Sequence, residues 1–186
     1  MEKLLKLSFV LLLGSILGCS STANTSTNLE EIAALDTMVS ARMFEVVSQS
    51  AQPMATIGLN SISNAGLLPP GSSPGRIDLT TNANYVRVIG DSVIVYLPYF
   101  GERQIGGGYN NKNVGIEFKG IPKDFEIIKN QKTDGYRIRF VIKNHGESYT
   151  MTTELFPNHN SAINVISSHR TPIAYNGKIS QYSPDE

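Results

Sequence analysis

Residues 134–156, DGYRIRFVIKNHGESYTMTTELF, form two runs in which apolar and polar residues alternate on either side of His145-Gly146. This period of two predicts half-buried strands, and the dipeptide predicts the turn of an antiparallel hairpin. A shift of one residue would expose the apolar set, so the register is well specified. The predicted pairs are Ile142 with Tyr149, Phe140 with Met151, Ile138 with Thr153, Tyr136 with Leu155, Arg137 with Glu154 and Arg139 with Thr152.

A second hairpin is predicted in residues 84–100, NYVRVIGDSVIVYLPYF, with Gly90-Asp91 as its turn. The predicted pairs are Val88 with Val93, Val86 with Val95, and Tyr85 with Tyr96. Both faces of the strand after this turn are apolar, which predicts that it is covered on both sides. Further strands are predicted at 42–49, at 114–119, from Phe125, and at 162–167 after a turn at Asn158-His159.

Regularly spaced hairpins of this kind indicate a mainly β (α+β) fold, either an antiparallel β-sandwich or a partly open β-barrel. One short N-terminal helix is predicted to precede it. Asn28 resembles an N-cap with Glu31 three residues on, and an apolar stripe follows, which predicts a helix from Leu29 to about Ala41. Continuation of the helix through Val47 is the alternative. The composition of residues 65–75, AGLLPPGSSPG, indicates a loop.

The N-terminus has the pattern of a secretory signal. Two lysines precede an apolar run from Leu7 to Leu17, whose helix would reach only roughly 17 Å and would not span a bilayer. The only cysteine, Cys19, follows Gly18 in the spacing of a bacterial lipobox. We therefore predict a signal peptide at 1–18, an acylated Cys19 with a polar tether at 19–28, and one β-rich domain at 29–186.

Composition limits the partners. Lys+Arg and Asp+Glu are both 16, so no net charge favours nucleic acid. The predicted partners are the membrane, through the acylated Cys19, and an unknown envelope protein or a small apolar ligand. The predicted location is the cell envelope, at the outer membrane facing the periplasm.

Residues 97–111, LPYFGERQIGGGYNN, combine an aromatic corner with three successive glycines. A phosphate-binding loop would require a Lys-Ser/Thr pair or a following helix, and neither is present. The stretch is therefore predicted to be a wide hairpin loop with an ordered corner at 97–101 and a mobile tip at Gly106–Gly108. A flap that closes over a ligand is the alternative.

No catalytic residue, metal site or cofactor is predicted. The three histidines have no metal-binding spacing, and Ser168 and His169 are predicted to lie on opposite faces of a strand. The candidate contacts to a ligand or partner are Tyr99, Phe100, Tyr109, Arg170 and Tyr175. For Arg170 and Tyr175, near the end of the chain, structural hydrogen bonds are the favoured role over lining a polar pocket.

Several groups of residues together resemble the domain of unknown function 4251 family, over about residues 44–179. The resemblance implies a β-rich single-domain lipoprotein of a Gram-negative envelope, and it implies no activity. It rests on Pro53-Met54, on Tyr85 with Gly90-Asp91-Ser92-Val93, on Leu97-Pro98-Tyr99-Phe100-Gly101, on Gly115-Ile116 with Phe118 and Gly120, and on Arg170 with Ile173, Tyr175, Gly177 and Ile179.

The function expected from these observations is a non-enzymatic binding or assembly module on an envelope lipoprotein. A carrier that holds an apolar ligand between sheet and helix is the alternative, and a hydrolase is third. An exposed aromatic patch on a solid core would favour the binding module.

Overall fold

The computed structural model describes residues 25–105, 115–144 and 146–184. The predicted signal peptide, Cys19 and most of the predicted tether lie outside these residues, as do Gly106–Gly108, Tyr109 and His145. The chain forms helix α1 (Thr25–Ala41), strand β1 (Met43–Pro53), helix α2 (Ile57–Asn64) and strands β2 (Ile77–Asp78), β3 (Tyr85–Ile89), β4 (Ser92–Leu97), β5 (Ile116–Gly120), β6 (Lys123–Asn130), β7 (Gly135–Asn144), β8 (Glu147–Leu155), β9 (Asn160–Ser167) and β10 (Ile173–Gln181).

The described strands form one antiparallel sheet in the order β5-β4-β3-β1-β10-β9-β8-β7-β6, and β2 pairs with β1 outside this path. The sheet is strongly curled. Of the two predicted architectures, the partly open barrel is therefore the one that forms, because a sandwich would need two separate sheets.

The curl follows from the connection between the two outermost strands. β5 ends at Gly120 and β6 begins at Lys123, so only Ile121 and Pro122 separate opposite edges of the sheet. These edges can lie at most about 11 Å apart at that point. The side-chain amide of Asn144 in β7 also donates to the carbonyl oxygen of Glu117 in β5 at 2.6 Å. The two edges of the sheet are therefore brought together where β5 passes into β6.

Both predicted hairpins form in the predicted register. Phe140 pairs with Met151, Tyr136 with Leu155 and Arg137 with Glu154 in the β7–β8 hairpin. Tyr85 pairs with Tyr96 and Val88 with Val93 in the β3–β4 hairpin. Cross-strand contacts on a single buried face were enough to specify these pairings.

Two predictions about individual elements are wrong, and one alternative is excluded, whereas the predicted end of the helix at Ala41 is confirmed. β4 is not covered on both sides, because Tyr96 is 43% exposed on its outer face. α1 does not continue through Val47, because Arg42 takes a positive φ of 48° and the chain enters β1. Asn28 is not an N-cap, because α1 begins at Thr25. The apolar stripe predicted where the helix lies. The polar residues before the stripe do not prevent one more helical turn, so the start of the helix was predicted too late in the chain.

Neither α2 nor β10 is among the elements predicted from the sequence. α2 begins at the N-cap Thr56, whose hydroxyl accepts from the backbone N–H of Leu59 at 3.2 Å.

In the part of the chain that the structure describes, no helix combines the length and apolar character needed to cross a membrane.

Helix α1 packs on the curled sheet. Leu35 and Val39 are fully buried and belong to the same apolar cluster as the inward side chains of the strands. Asp36 accepts hydrogen bonds from Lys129 of β6 at 2.6 Å and from the hydroxyl of Tyr136 of β7 at 2.8 Å. A helix of this length is marginal alone, so this packing on β6 and β7 stabilises it.

Gly177 marks the closest approach of β10 to β1. It pairs with Ser48 at a register shift in β1, and an added Cβ would overlap the carbonyl oxygen of Val47. A glycine in a strand often marks such a bulge.

We predict that Gly177→Ala destabilises the fold by about 1–3 kcal/mol or more, because the β1 backbone must move away. The midpoint of chemical denaturation measures the change. Gly75→Ala is the matched control, since a Cβ there meets open space without a positive φ, and it should change stability by less than about 0.5 kcal/mol. Equal effects of the two substitutions would contradict this account of Gly177.

Candidate functional site

The longer connections gather at one end of the curled sheet, which we call the upper end. β1, β4, β7 and β9 end there, and β3, β5, β8 and β10 begin there. The segments that join them include residues 54–84, 98–115 and 168–172, whereas the connections at the opposite end are shorter. Four of the candidate residues lie at this end, either in its connections or among the first residues of its strands: Tyr99, Phe100, Arg170 and Tyr175.

A buried ion pair organises the upper end. Glu147, the first residue of β8, is 4% exposed, and Arg170, in the β9–β10 connection, is 6% exposed. Arg170 Nε lies 2.9 Å from Glu147 Oε1. Arg103, from the β4–β5 connection, donates through Nη2 to Glu147 Oε2 at 2.7 Å. One carboxylate therefore joins two otherwise separate connections to the start of β8.

The environment of Glu147 favours its ionised form. Burial opposes ionisation, but hydrogen bonds from Ser167 and Tyr149 and the charges of Arg170 and Arg103 outweigh burial, so the pKa of Glu147 lies below its usual value. Burial also raises the pKa of Tyr149 well above its usual range. Glu147 is thus ionised at neutral pH and acts as a charged anchor. The carboxyl group of a general acid, in contrast, has a raised pKa.

Backbone hydrogen bonds reinforce these side-chain contacts. Gln104 donates its N–H to the carbonyl of His169 at 2.7 Å, and Thr171 donates to the carbonyl of Glu102 at 3.0 Å. Arg103 and Arg170 thereby form an isolated antiparallel bridge. The two connections behave as an added pair of strands across the upper end.

The predicted ordered corner is built around two tyrosines. The Tyr99 hydroxyl lies 2.8 Å from the carbonyl oxygen of Thr171, and burial raises the pKa of Tyr99, so this hydroxyl stays protonated and can donate. Tyr175 is fully buried and donates its hydroxyl to the carbonyl of Pro98 at 2.8 Å. An added Cβ on Gly101 would overlap the Tyr99 hydroxyl. Only glycine fits where the chain turns over this ring.

The structure brings three of the predicted site residues together. The guanidinium carbon of Arg170 lies 5.0 Å from the centroid of the Tyr99 ring. Tyr175 contacts the same corner through its hydrogen bond to the Pro98 carbonyl. Phe100 is half-buried and packs against the core. Tyr109 and Cys19 lie outside the described residues. Every described member of the predicted set therefore lies at the upper end.

The predicted geometry of Ser168 and His169 is wrong. They lie in the bend after β9, outside any strand, and Ser168 Oγ is 2.7 Å from His169 Nδ1. A bend removes the alternation that would place neighbouring side chains on opposite faces. Ser168 Oγ also accepts the backbone N–H of Ser148 at 3.0 Å, so it ties the bend to β8. Among the described residues, no carboxylate is hydrogen-bonded to the His169 ring to orient it as a base.

An open groove runs from the upper end along the outer face of β4 and β5. Its first half, about 540 Å³, lies beside Asn82 and the corner at Tyr99 and Phe100. Its second half, about 470 Å³, lies between β5 and the end of β7. Tyr96 and Glu117 line both halves, so the two halves adjoin at these side chains.

Several residues of this region were not predicted as site residues, namely Glu147, Arg103, Tyr96 and Glu117. The alternation in β4 does place Tyr96 on the face opposite Val95. Both faces of β4 are apolar, however, so the sequence did not indicate which face points outward. The pairing of Glu147 with Arg170 depends on the path of the 168–172 connection, which leaves no local signal in the sequence.

We predict that Glu147→Gln costs about 3–5 kcal/mol of unfolding free energy at pH 7, because it leaves Arg170 buried beside a neutral group. Chemical denaturation measures this loss. Glu154→Gln is the matched control on the same strand. Its partner Arg137 has a side chain that is 53% exposed, and loss of this surface pair should cost less than about 1 kcal/mol.

The same pair predicts a difference in acid stability. Because the pKa of Glu147 is lower in the folded protein, its contribution is complete above the unfolded value of about 4.3 and is lost as the pH falls through the folded value. The stability gap between the wild type and Glu147→Gln should therefore narrow below about pH 4. A gap that stays constant with pH would contradict the ionised anchor.

The chain is similar to one family of known proteins. The family model described as Domain of unknown function (DUF4251) matches residues 27–179. Among solved structures, the chain is similar to the crystal structure of a DUF4251 family protein from Bacteroides eggerthii DSM 20697, with 13% identity and a TM-score of 0.49 over 83% of this chain and 87% of that one. No curated protein matches. Since the family model covers most of its length, the chain belongs to the DUF4251 family, whose domain has no known function.

Proposed function

We propose that this protein is a non-enzymatic binding module, held at an envelope membrane by an acylated Cys19. The observation that carries the binding role is the open groove whose two adjoining halves share Tyr96 and Glu117. Its two halves each have the volume of a small-molecule site. Aromatic and polar side chains both line it, as in other sites that bind small ligands.

The packing of the interior favours a binding module over a carrier. A carrier would hold its apolar ligand between sheet and helix. That space contains Leu35 and Val39 of α1, which are buried in one cluster with Phe44, Phe140 and Met151 of the sheet. Close-packed side chains leave a ligand to bind on the outside.

The chemistry of the upper end favours a binding module over a hydrolase. The buried carboxylate of Glu147 is engaged by two arginines, and its lowered pKa suits a structural anchor. Ser168 and His169 are in contact, but Ser168 is engaged by the backbone of β8. A nucleophile needs a base that is itself oriented by a third group.

The membrane location rests on the N-terminal sequence. Cys19 follows a short apolar run and Gly18. α1 begins at Thr25, so five residues separate it from Cys19, and a flexible chain of that length spans on the order of 12 Å. The domain would therefore stay close to the membrane surface, and the outer membrane facing the periplasm is the location we propose.

We predict that Cys19→Ala moves the protein from the membrane fraction to the soluble envelope fraction, because two or more acyl chains are needed for stable anchoring. Cell fractionation and incorporation of labelled fatty acid measure this. Ser20→Ala is the control and should leave both unchanged. A Cys19→Ala protein that stays membrane-bound, with an unlabelled wild type, would rule out the lipid anchor.

We also predict that the groove binds a component of the envelope. Nuclear magnetic resonance spectra of the purified protein in detergent should show shifted signals for Tyr96 and Glu117 on addition of a soluble glycan extract, an envelope peptide extract or phospholipid vesicles. Ile166, which is exposed on β9 across the sheet, provides the reference signal. If none of the three preparations shifts the groove signals, the binding role is wrong.

A further inference from the structure

We propose that the ligand of the groove is an oligosaccharide, bound with a sugar ring stacked on Tyr96. This inference rests on the proposed function, since it names the class of ligand for the same groove. Its evidence is an ordered stack of side chains on the outer face of the sheet, together with the polar groups beside the end of that stack.

The stack begins at an ion pair. Arg87 of β3 donates through Nε to Glu45 of β1 at 2.9 Å. Its guanidinium carbon lies 3.9 Å from the centroid of the Tyr85 ring and 4.6 Å from that of Tyr182. Arg87 is therefore held by one carboxylate and by two aromatic rings, and such cation–π contacts stabilise both partners.

The stack ends at Tyr96. The centroids of the Tyr85 and Tyr96 rings are 5.7 Å apart with an interplanar angle of 30°. Tyr85 thus lies between Arg87 and Tyr96, whereas Tyr96 is 43% exposed and lines both halves of the groove. Because the rings are already fixed, a ligand that stacks on Tyr96 orders little on binding.

The groups around Tyr96 supply hydrogen bonds of both kinds. Glu117 is its direct neighbour on β5 and offers acceptors. Lys119 and Lys143 offer donors on one side, and the amides of Asn144 and Asn82 lie in the two halves of the groove. A ligand that matches this lining needs a flat apolar face and several hydroxyl groups along an extended chain.

An oligosaccharide has both features. The C–H bonds on one face of a pyranose ring carry partial positive charge and are attracted to the negative face of an aromatic ring. Its hydroxyl groups both donate and accept, as the side chains of Asn and Glu require. Two halves that adjoin at Tyr96 and Glu117 suit several linked sugar units better than a single one.

The other classes of ligand fit less well. An acyl chain would cover Glu117 and Lys119 without offering them hydrogen-bond partners, which is costly. A peptide strand added to the edge of β5 would have to displace Asn144, whose amide already donates to the Glu117 carbonyl. Nucleic acid would require more cations than Lys119 and Lys143 beside an acidic Glu117.

The test is isothermal titration of the purified full-length protein in detergent with maltotetraose, cellotetraose, chitotetraose and tetragalacturonic acid. At least one should bind. Tyr96→Ala should then weaken its affinity at least tenfold, whereas Tyr96→Phe, which keeps the ring, should stay within about threefold. The exposed control Ile166→Ala should stay within about twofold, and thermal denaturation should show that the variants are folded.

The outcomes separate this inference from the binding role. If no tetrasaccharide binds but an envelope peptide extract or phospholipid vesicles shift the signals of Tyr96 and Glu117, the ligand class is wrong and the binding role stands. If nothing affects the groove, both fail. Binding of a tetrasaccharide that is unaffected by Tyr96→Ala would also overturn the proposed stack.

Discussion

The two-residue connection between β5 and β6 is the constraint on which the architecture depends. Nine strands that follow one another in antiparallel order have a first and a last strand that run in the same direction. Here those two strands are consecutive in the chain and are separated only by Ile121 and Pro122. A flat sheet would hold them far apart, so the sheet must curl until its edges meet. The inward side chains then face one another and form a core that α1 covers.

The same constraint places the upper end. Once the sheet is curled, the longer connections between strands all meet around one opening. Two of them are joined to the start of β8 by Arg170 and Arg103, which both bind Glu147, a buried carboxylate that retains its charge. A buried ion pair contributes more to specificity of structure than to net stability in some proteins. Here it fixes where residues 98–105 run, and thereby where Tyr99 and Phe100 border the groove.

The parts of this fold that were predictable from sequence are those specified by nearby residues. The β7–β8 and β3–β4 hairpins formed as predicted because a period of two on one buried face allows a single register. α2 was missed because eight residues are too few for a helical period to emerge. β10 was missed because Gly177 occupies an inward position at which the alternation calls for an apolar side chain, and the reason for Gly177 is a bulge in β1, far away in sequence.

The candidate site was predictable only in part, for a related reason. The aromatic corner could be found because Pro98, Tyr99 and Phe100 are adjacent in the chain. The Glu147–Arg170 pair and the row formed by Tyr85, Tyr96 and Glu117 depend on which strands become neighbours. Tyr96 and Ile94 are of residue types that also occur in a core. Only the curl of the sheet determines that the face of β4 on which they lie is the outer one.

In the proposed binding role, the ligand would lie on that outward face. The interior of this domain is occupied by its own side chains, so the binding energy would come from the surface. A surface site usually loses affinity because its side chains must be ordered on binding. Tyr96 avoids much of this cost, since β4 is hydrogen-bonded to strands on both sides and its ring rests on Tyr85, which rests on Arg87. The ion pair of Arg87 with Glu45 holds the base of that stack on β1, so a strand in the interior of the sheet supports the ring at its surface.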